Sequence, residues 1–207
     1  MINLFLRAKH WQIFLLSFGL PFVLQIALVI TVVSSLIQNH DVTFLLGVVK
    51  FLPAMVILFM AVHFGWQWSV VMGLQKLMPA GVPNKLTQFK IFFFIPVAYI
   101  LVICVLLALL FNSDMMRGGQ PNPAIFMVFP IIFPVHLFAM FCIFYNIYFV
   151  AKTLRTAELQ REVVFNDFMA EFFLVWFHFI GIWILQPRIN KLAEDERGSD
   201  TVVDTGL

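Results

Sequence analysis

Long uncharged apolar runs separated by short polar segments dominate the pattern along the chain. A bilayer core of about 30 Å takes about 20 helical residues at a rise of 1.5 Å each. Trp11 to Ile37, Phe51 to Leu74 and Ala124 to Val150 contain no Asp, Glu, Lys or Arg, and Phe89 to Phe111 contains only Lys90 near its start. These runs are apolar on every face, whereas lipid-facing β-strands alternate apolar and polar residues, so the pattern predicts helices and not a barrel. Spans are expected over 11–37, 51–74, 89–111 and 124–150. Pro21, Pro53, Pro96, Pro130 and Pro134 fall inside these runs, where a membrane helix tolerates a kink if neighbours satisfy the freed carbonyls.

The stretch 168–186 is more mixed. Phe172 to Leu185 is apolar apart from His178, but Glu171 and Gly181 interrupt the stretch and Pro187 is expected to stop it. An interfacial helix would carry a strongly charged face, which this stretch lacks, so a fifth span is expected. Before it, residues 152–167 mix Leu154, Leu159, Val163 and Val164 with charged residues and hold neither Pro nor Gly. They predict a short cytoplasmic amphipathic helix lying on headgroups. The tail 187–207 turns acidic, with Glu194, Asp195, Glu196, Asp200 and Asp204, and reads as a disordered end. The expected fold is thus an all-α polytopic transmembrane helix bundle: a cytoplasmic N-terminus over 1–10, one helical domain over 11–186, and the tail.

Basic residues in short loops collect on the cytoplasmic side. Arg7, Lys9, Lys76, Lys85, Lys90, Lys152, Arg155 and Arg161 fall on one side of the four spans, and only Lys50 and Arg117 on the other. The N-terminus is therefore expected in the cytoplasm of a bacterial-type inner membrane. A spanning fifth helix would place Arg188, Lys191 and Arg197 outside, whereas a segment that turned back would keep them inside. Here the charge rule and the apolar pattern conflict.

Composition supports the membrane class. Of 207 residues, 62% are hydrophobic and 12% charged, against roughly 25% charged in soluble domains. A net charge of +2 does not suggest a nucleic-acid partner. The first run exceeds the roughly 7–15 residues of a signal-peptide core and is expected to stay; no lipid-anchor motif appears. No internal repeat of the kind many secondary transporters carry is evident.

Polar side chains inside a bilayer are costly, so each is a functional candidate, with helix-to-helix hydrogen bonding as the competing explanation. If run midpoints mark the bilayer centre, Gln25, His63, Tyr99, His136 and His178 form one polar layer. His63, His136 and His178 could ligate a divalent metal, or two of them could clamp a haem iron. None sits in an HExxH, CxxCH or i,i+4 His pattern, and a structural polar layer is the favoured explanation. Asp167, Glu171 and His178 share one face of a continuous helix and could relay protons; alternatively, the helix dipole favours the first-turn acid and Glu171 snorkels to water. Ala61, Gly65, Ser69 and Gly73 recur every fourth residue, a small-residue stripe that permits close helix packing, within the chain or between copies. Cys104 and Cys142 lie at different depths, which argues against a disulfide. No phosphate-cradling glycine loop and no nucleophile with a neighbouring base is evident.

The segments GGQPNPAIF (118–126) and FFLVWFHFIGIWILQPRIN (172–190) resemble a pattern found in small multi-pass bacterial membrane proteins of no assigned activity. The resemblance implies an inner-membrane helical protein and carries over no catalytic residue. The residues themselves suggest an interaction or accessory subunit of a membrane assembly rather than an enzyme. Its expected partners are the lipid bilayer and another membrane protein, or a second copy meeting helix two. No cofactor is expected. Alternatives are a haem or metal protein on the histidines, or a small oligomeric transporter or channel.

Overall fold

The computed structural model describes residues 2–39, 52–83, 85–112 and 124–204. Lys50, Arg117 and most of the 118–126 loop lie outside them. Among the described residues, four helices are long and apolar enough to cross a membrane: His10–Ser35, Pro53–Leu77, Leu86–Leu109 and Pro130–Leu159. They correspond to the four expected spans.

A short helix α1 (Ile2–Arg7) precedes the first span. That span is assembled from α2 (His10–Phe14), a π turn (Leu15–Gly19) and α3 (Leu20–Asn39). Pro21 has no N–H for the Ser17 carbonyl, so the ladder loosens there, and Leu20 N–H bonds the Leu15 carbonyl five residues back. The second span is α4 (Leu52–Gly73), with Pro53 in its first turn where no N–H is needed, ending in a 3-10 turn (Leu74–Leu77). α5 (Leu86–Asn112) and α6 (Ala124–Leu159) carry the third and fourth spans with Pro96, Pro130 and Pro134 inside them.

Beyond the fourth span the structure departs from expectation. Residues 152–159 are the end of α6, not a separate helix on headgroups, because nothing between Val150 and Leu159 interrupts the ladder. α6 stops where Gln160 takes a positive φ of 50° and its N–H closes on Thr156. After a short turn, α7 (Phe165–Trp176) begins with the Asp167 carboxylate accepting the Val164 N–H at 3.0 Å.

The expected continuous helix over 168–186 breaks at Phe177, and α8 (His178–Asp204) runs back along α7. Gly181 permits this corner: a Cβ there would overlap the Leu174 carbonyl. Pro187 does not stop α8, and the tail predicted as disordered is helical to Asp204. The residues flanking Pro187 are fastened elsewhere: Gln186 Nε2 donates to the Phe5 and Ala8 carbonyls at 2.7 and 3.0 Å, and Asn190 Nδ2 to Ala8 at 3.2 Å.

These bonds also decide where the segment goes. Ala8 precedes the first span, and Asn190 touches it. At the other end of the hairpin, Asp167 accepts two bonds of 3.0 Å from Arg161, just beyond the fourth span. The segment 165–190 therefore enters the bundle and returns to the end it left. The histidine-bearing segment is a helical hairpin that folds back on itself, and Arg188 and Lys191 lie at the same end of the bundle as Arg7 and Lys9.

Candidate functional site

The polar groups fall into three separate places. The first is the base of the hairpin, where α6, α7 and α8 meet in a cluster of two arginines and two glutamates. Arg188 Nε and Nη2 donate to Glu158 Oε1 and Oε2 at 2.7 and 2.5 Å, and Nη2 also reaches Glu171 Oε1 at 2.7 Å. Arg155 Nη1 donates to Glu158 at 3.1 Å and stands 4.0 Å from Glu171. Charges are balanced and the arginine fork is satisfied, as partly buried ion groups require. The two carboxylates hold the Arg188 guanidinium even further above neutrality than usual. Glu171 is buried at 5% exposure and does not snorkel. Asp167 is engaged by Arg161, whose hydrogen bonds hold its carboxyl below the ordinary aspartate value. With the helix broken at Phe177 and both acids held by arginines, Asp167, Glu171 and His178 do not share one helical face.

The second place is the seam between α5 and α6, where Tyr99 Oη meets His136 Nδ1 at 2.9 Å on the outer surface of the bundle. Gln25 lies apart from both pairs, in a groove beside α3. The five groups of the expected polar layer therefore do not meet in one place.

The third place is the tip of the hairpin. His178 is 3% exposed and lies edge-on to His63, with ring centres 4.8 Å apart; Trp66 stands at the same distance and Phe18 at 6.1 Å. Both ring nitrogens of His178 are buried without a hydrogen-bond partner. His63 Nε2 lies 2.7 Å from Gln67 Nε2, and with the amide donating, the ring proton of His63 sits on Nδ1. That Nδ1 has no partner, nor do Gln67 Oε1 and Ser17 Oγ, the latter in the π turn. Each orphaned buried group costs about 1–3 kcal/mol.

These groups border open space. A hollow of about 310 Å³ is lined by His63 and His178 and by the aromatic rings of Phe18, Phe59, Trp176 and Phe177. A larger groove of about 860 Å³ runs between the first span and α4, lined by Ser17, Gln25 and apolar side chains. Phe18 and Phe59, edge to face at 5.7 Å, line both.

The histidine set expected for a metal is not formed, since His136 is on another seam; among the described residues no three His, Cys, Asp or Glu side chains converge on a metal position. Nor can a haem stand between His63 and His178. Iron bonds of about 2 Å would hold the nitrogens about 4 Å apart and the ring centres farther still, beyond the 4.8 Å observed. Cys104 and Cys142 are buried free thiols.

The small-residue stripe packs within the chain. A Cβ on Gly65 would meet the Phe5 ring at 3.1 Å, and one on Gly73 would collide with Leu6, so α1 lies along the stripe. Ser69 is fully buried, while Ala61, beyond the reach of α1, is exposed.

Several groups that organise the site carried no motif: Ser17, Gln67, Gln186 and Arg188. Gln186 Oε1 accepts Trp66 Nε1–H at 2.8 Å, tying α8 to α4 below the histidines. Its only signal was a polar residue at the end of an apolar run.

Fold and site define the chain, over its described residues, as an all-helical protein with four helices of membrane-spanning length and a helical hairpin that carries an unpaired imidazole into their midst. No family model, no curated protein and no solved structure matches it.

Proposed function

We propose that the chain is a binding protein for a small molecule dissolved in the lipid phase, taken through the groove beside α3 and held at His63 and His178. The observation that carries this reading is the set of buried, unpartnered ring nitrogens beside an aromatic hollow. His178 offers one donor and one acceptor, and His63 Nδ1 a further donor. A carbonyl oxygen answers an N–H and a hydroxyl hydrogen answers the free lone pair, so the ligand is an apolar molecule with an oxygen function at one end. The aromatic lining suits a planar ring or an unsaturated chain. In this reading the basic end of the bundle faces the cytoplasm of a bacterial-type membrane, which the distribution of Lys and Arg supports.

Native mass spectrometry in mild detergent, with a decyl-benzoquinone as probe, tests the reading. One probe molecule per chain is expected on the wild type and none on His178→Phe. Equal binding by both refutes it.

A second reading keeps the chain as an accessory subunit, with a helix of another membrane protein in the same groove. Its support is the first span, of which only 11% is buried against 44% for the second. A photoreactive residue at Val29, which lines the groove, separates the two: cross-links to lipid-phase small molecules favour the first reading, and one defined protein product the second.

A further inference from the structure

At the basic end of the bundle, away from the histidines, a polar hollow of about 370 Å³ opens between the α4–α5 connection and the last third of α6. We propose that it binds a phosphate group, presented by an anionic membrane lipid or as free phosphate.

The hollow is lined by apolar side chains together with several groups that can donate hydrogen bonds. Lys85, just before α5, and Lys152, on α6, face it from two elements. Neither is paired with a carboxylate among the described residues. Thr156 lines the inner wall with 0% exposure, and its Oγ has no hydrogen-bond partner. A buried hydroxyl without a partner beside a cavity calls for an acceptor that protein atoms do not supply. Thr153, one turn earlier, lines the same wall. Tyr145 Oη donates to Gln88 Oε1 at 3.2 Å, which fixes that side of the rim.

Charge, size and depth agree with one kind of occupant. Among the described residues lining the hollow the one further ionised side chain is Glu162, so two positive charges and one negative leave +1, the complement of a phosphodiester. At about 30 Å³ per water the space holds about a dozen waters, or a headgroup of that bulk. Lys85 immediately precedes the third span and Lys152 lies in the last third of the fourth, so both sit towards the basic end of the bundle. Phe149 and Tyr148 continue the wall towards the apolar interior, where acyl chains of a lipid would lie.

The test is native mass spectrometry of the full chain with phosphatidylglycerol or phosphatidylcholine of identical acyl chains. Wild-type protein should retain phosphatidylglycerol preferentially. The Lys85→Gln/Lys152→Gln variant should bind it about thirtyfold more weakly, in line with the attraction of two basic residues for an anionic lipid. Thr156→Val, of the same shape, should weaken it less. The matched double variant Lys9→Gln/Lys191→Gln removes equal charge from the same end of the bundle and should bind as the wild type does. Excess inorganic phosphate that displaces the lipid identifies the phosphate group as the recognised part; lipid that resists displacement identifies the whole glycerophospholipid. Equal retention of the two lipids, or full retention by the Lys85/Lys152 variant with an unchanged melting temperature, overturns the assignment.

Discussion

Replacing His178 with phenylalanine should stabilise the ligand-free protein, an unusual result for a fully enclosed residue. In the wild type both ring nitrogens lie buried without partners, and two such groups cost about 2–6 kcal/mol together. The phenyl ring keeps the edge contacts to Trp66 and His63 at 4.8 Å and removes both orphans. It is one ring atom larger, and overpacking costs about 1–3 kcal/mol, lessened here by the neighbouring hollow of about 310 Å³. The net gain expected is about 1–3 kcal/mol, or a rise in Tm of about 3–10 °C for a chain of this size. The assay is thermal unfolding of delipidated protein in mild detergent. His136→Phe is the contrast: it breaks the 2.9 Å bond to Tyr99 and should lower stability by about 1 kcal/mol. Adding the decyl-benzoquinone probe should raise the wild-type Tm and leave His178→Phe unmoved, since only the native state of the wild type binds it. A fall in Tm for ligand-free His178→Phe comparable to that of His136→Phe would refute the reasoning and make His178 a packing residue.

Four further outcomes are expected. Gly181→Ala places a Cβ on the Leu174 carbonyl and should cost more than about 3 kcal/mol, seen as loss of the monodisperse peak in size-exclusion chromatography. Arg188→Met leaves Glu171, whose side chain is 7% exposed, without its closest partner; a loss of about 2–4 kcal/mol is expected by thermal unfolding, largely recovered in Arg188→Met/Glu171→Gln/Glu158→Gln. Asp167 has a depressed folded-state value, so its contribution is present above its unfolded value and is lost as pH falls below the ordinary 3.8; the protection factors of amides at 160–167, corrected for the pH dependence of intrinsic exchange, should fall in that acid window and hold steady above it. Cysteine labelling in intact membranes should find positions 3 and 191 on the same side, because Asn190 bonds the Ala8 carbonyl; opposite sides would remove the helical hairpin.

The spans were legible because their signal is local. A run such as Leu101 to Leu110 has one solution in lipid, a helix, whatever its neighbours do. The hairpin was not legible, because the features that make it are long-range: Gly181 is needed only for its approach to Leu174, and the helix on either side of Pro187 depends on bonds from Gln186 and Asn190 to residues 5 and 8. The basic residues Arg188 and Lys191 did hold the information, since their positions fit the charge rule only if the segment returns. Of the candidate site, residue type was readable and partnership was not. His63 and His136 looked equivalent, yet one faces a buried imidazole and the other a tyrosine at the surface of the bundle. The stripe on α4 was readable as a close-packing face, but not that the first residues of the chain would fill it.

The hairpin also explains how an unfavourable group can be kept in place. Its base is held by Arg188 with Glu158 and Glu171, and its middle by Gln186 with Trp66 and two carbonyls of the N-terminal segment. Its tip carries His178, whose unpaired nitrogens oppose burial. If the segment were free to relax, a hinge at Phe177 would let the imidazole swing out to a partner. Because base and middle are bound to α1, α4 and α6, the tip has no such freedom, and the cost stays in the folded state until something supplies the missing hydrogen bonds. The energy of the ion cluster and of the Gln186 network thus appears at His178 as pre-organisation, the usual reason for a rigid element to hold an unsatisfied group in a cavity. On this argument, loosening the base by Arg188→Met should weaken probe binding at a site that Arg188 never touches.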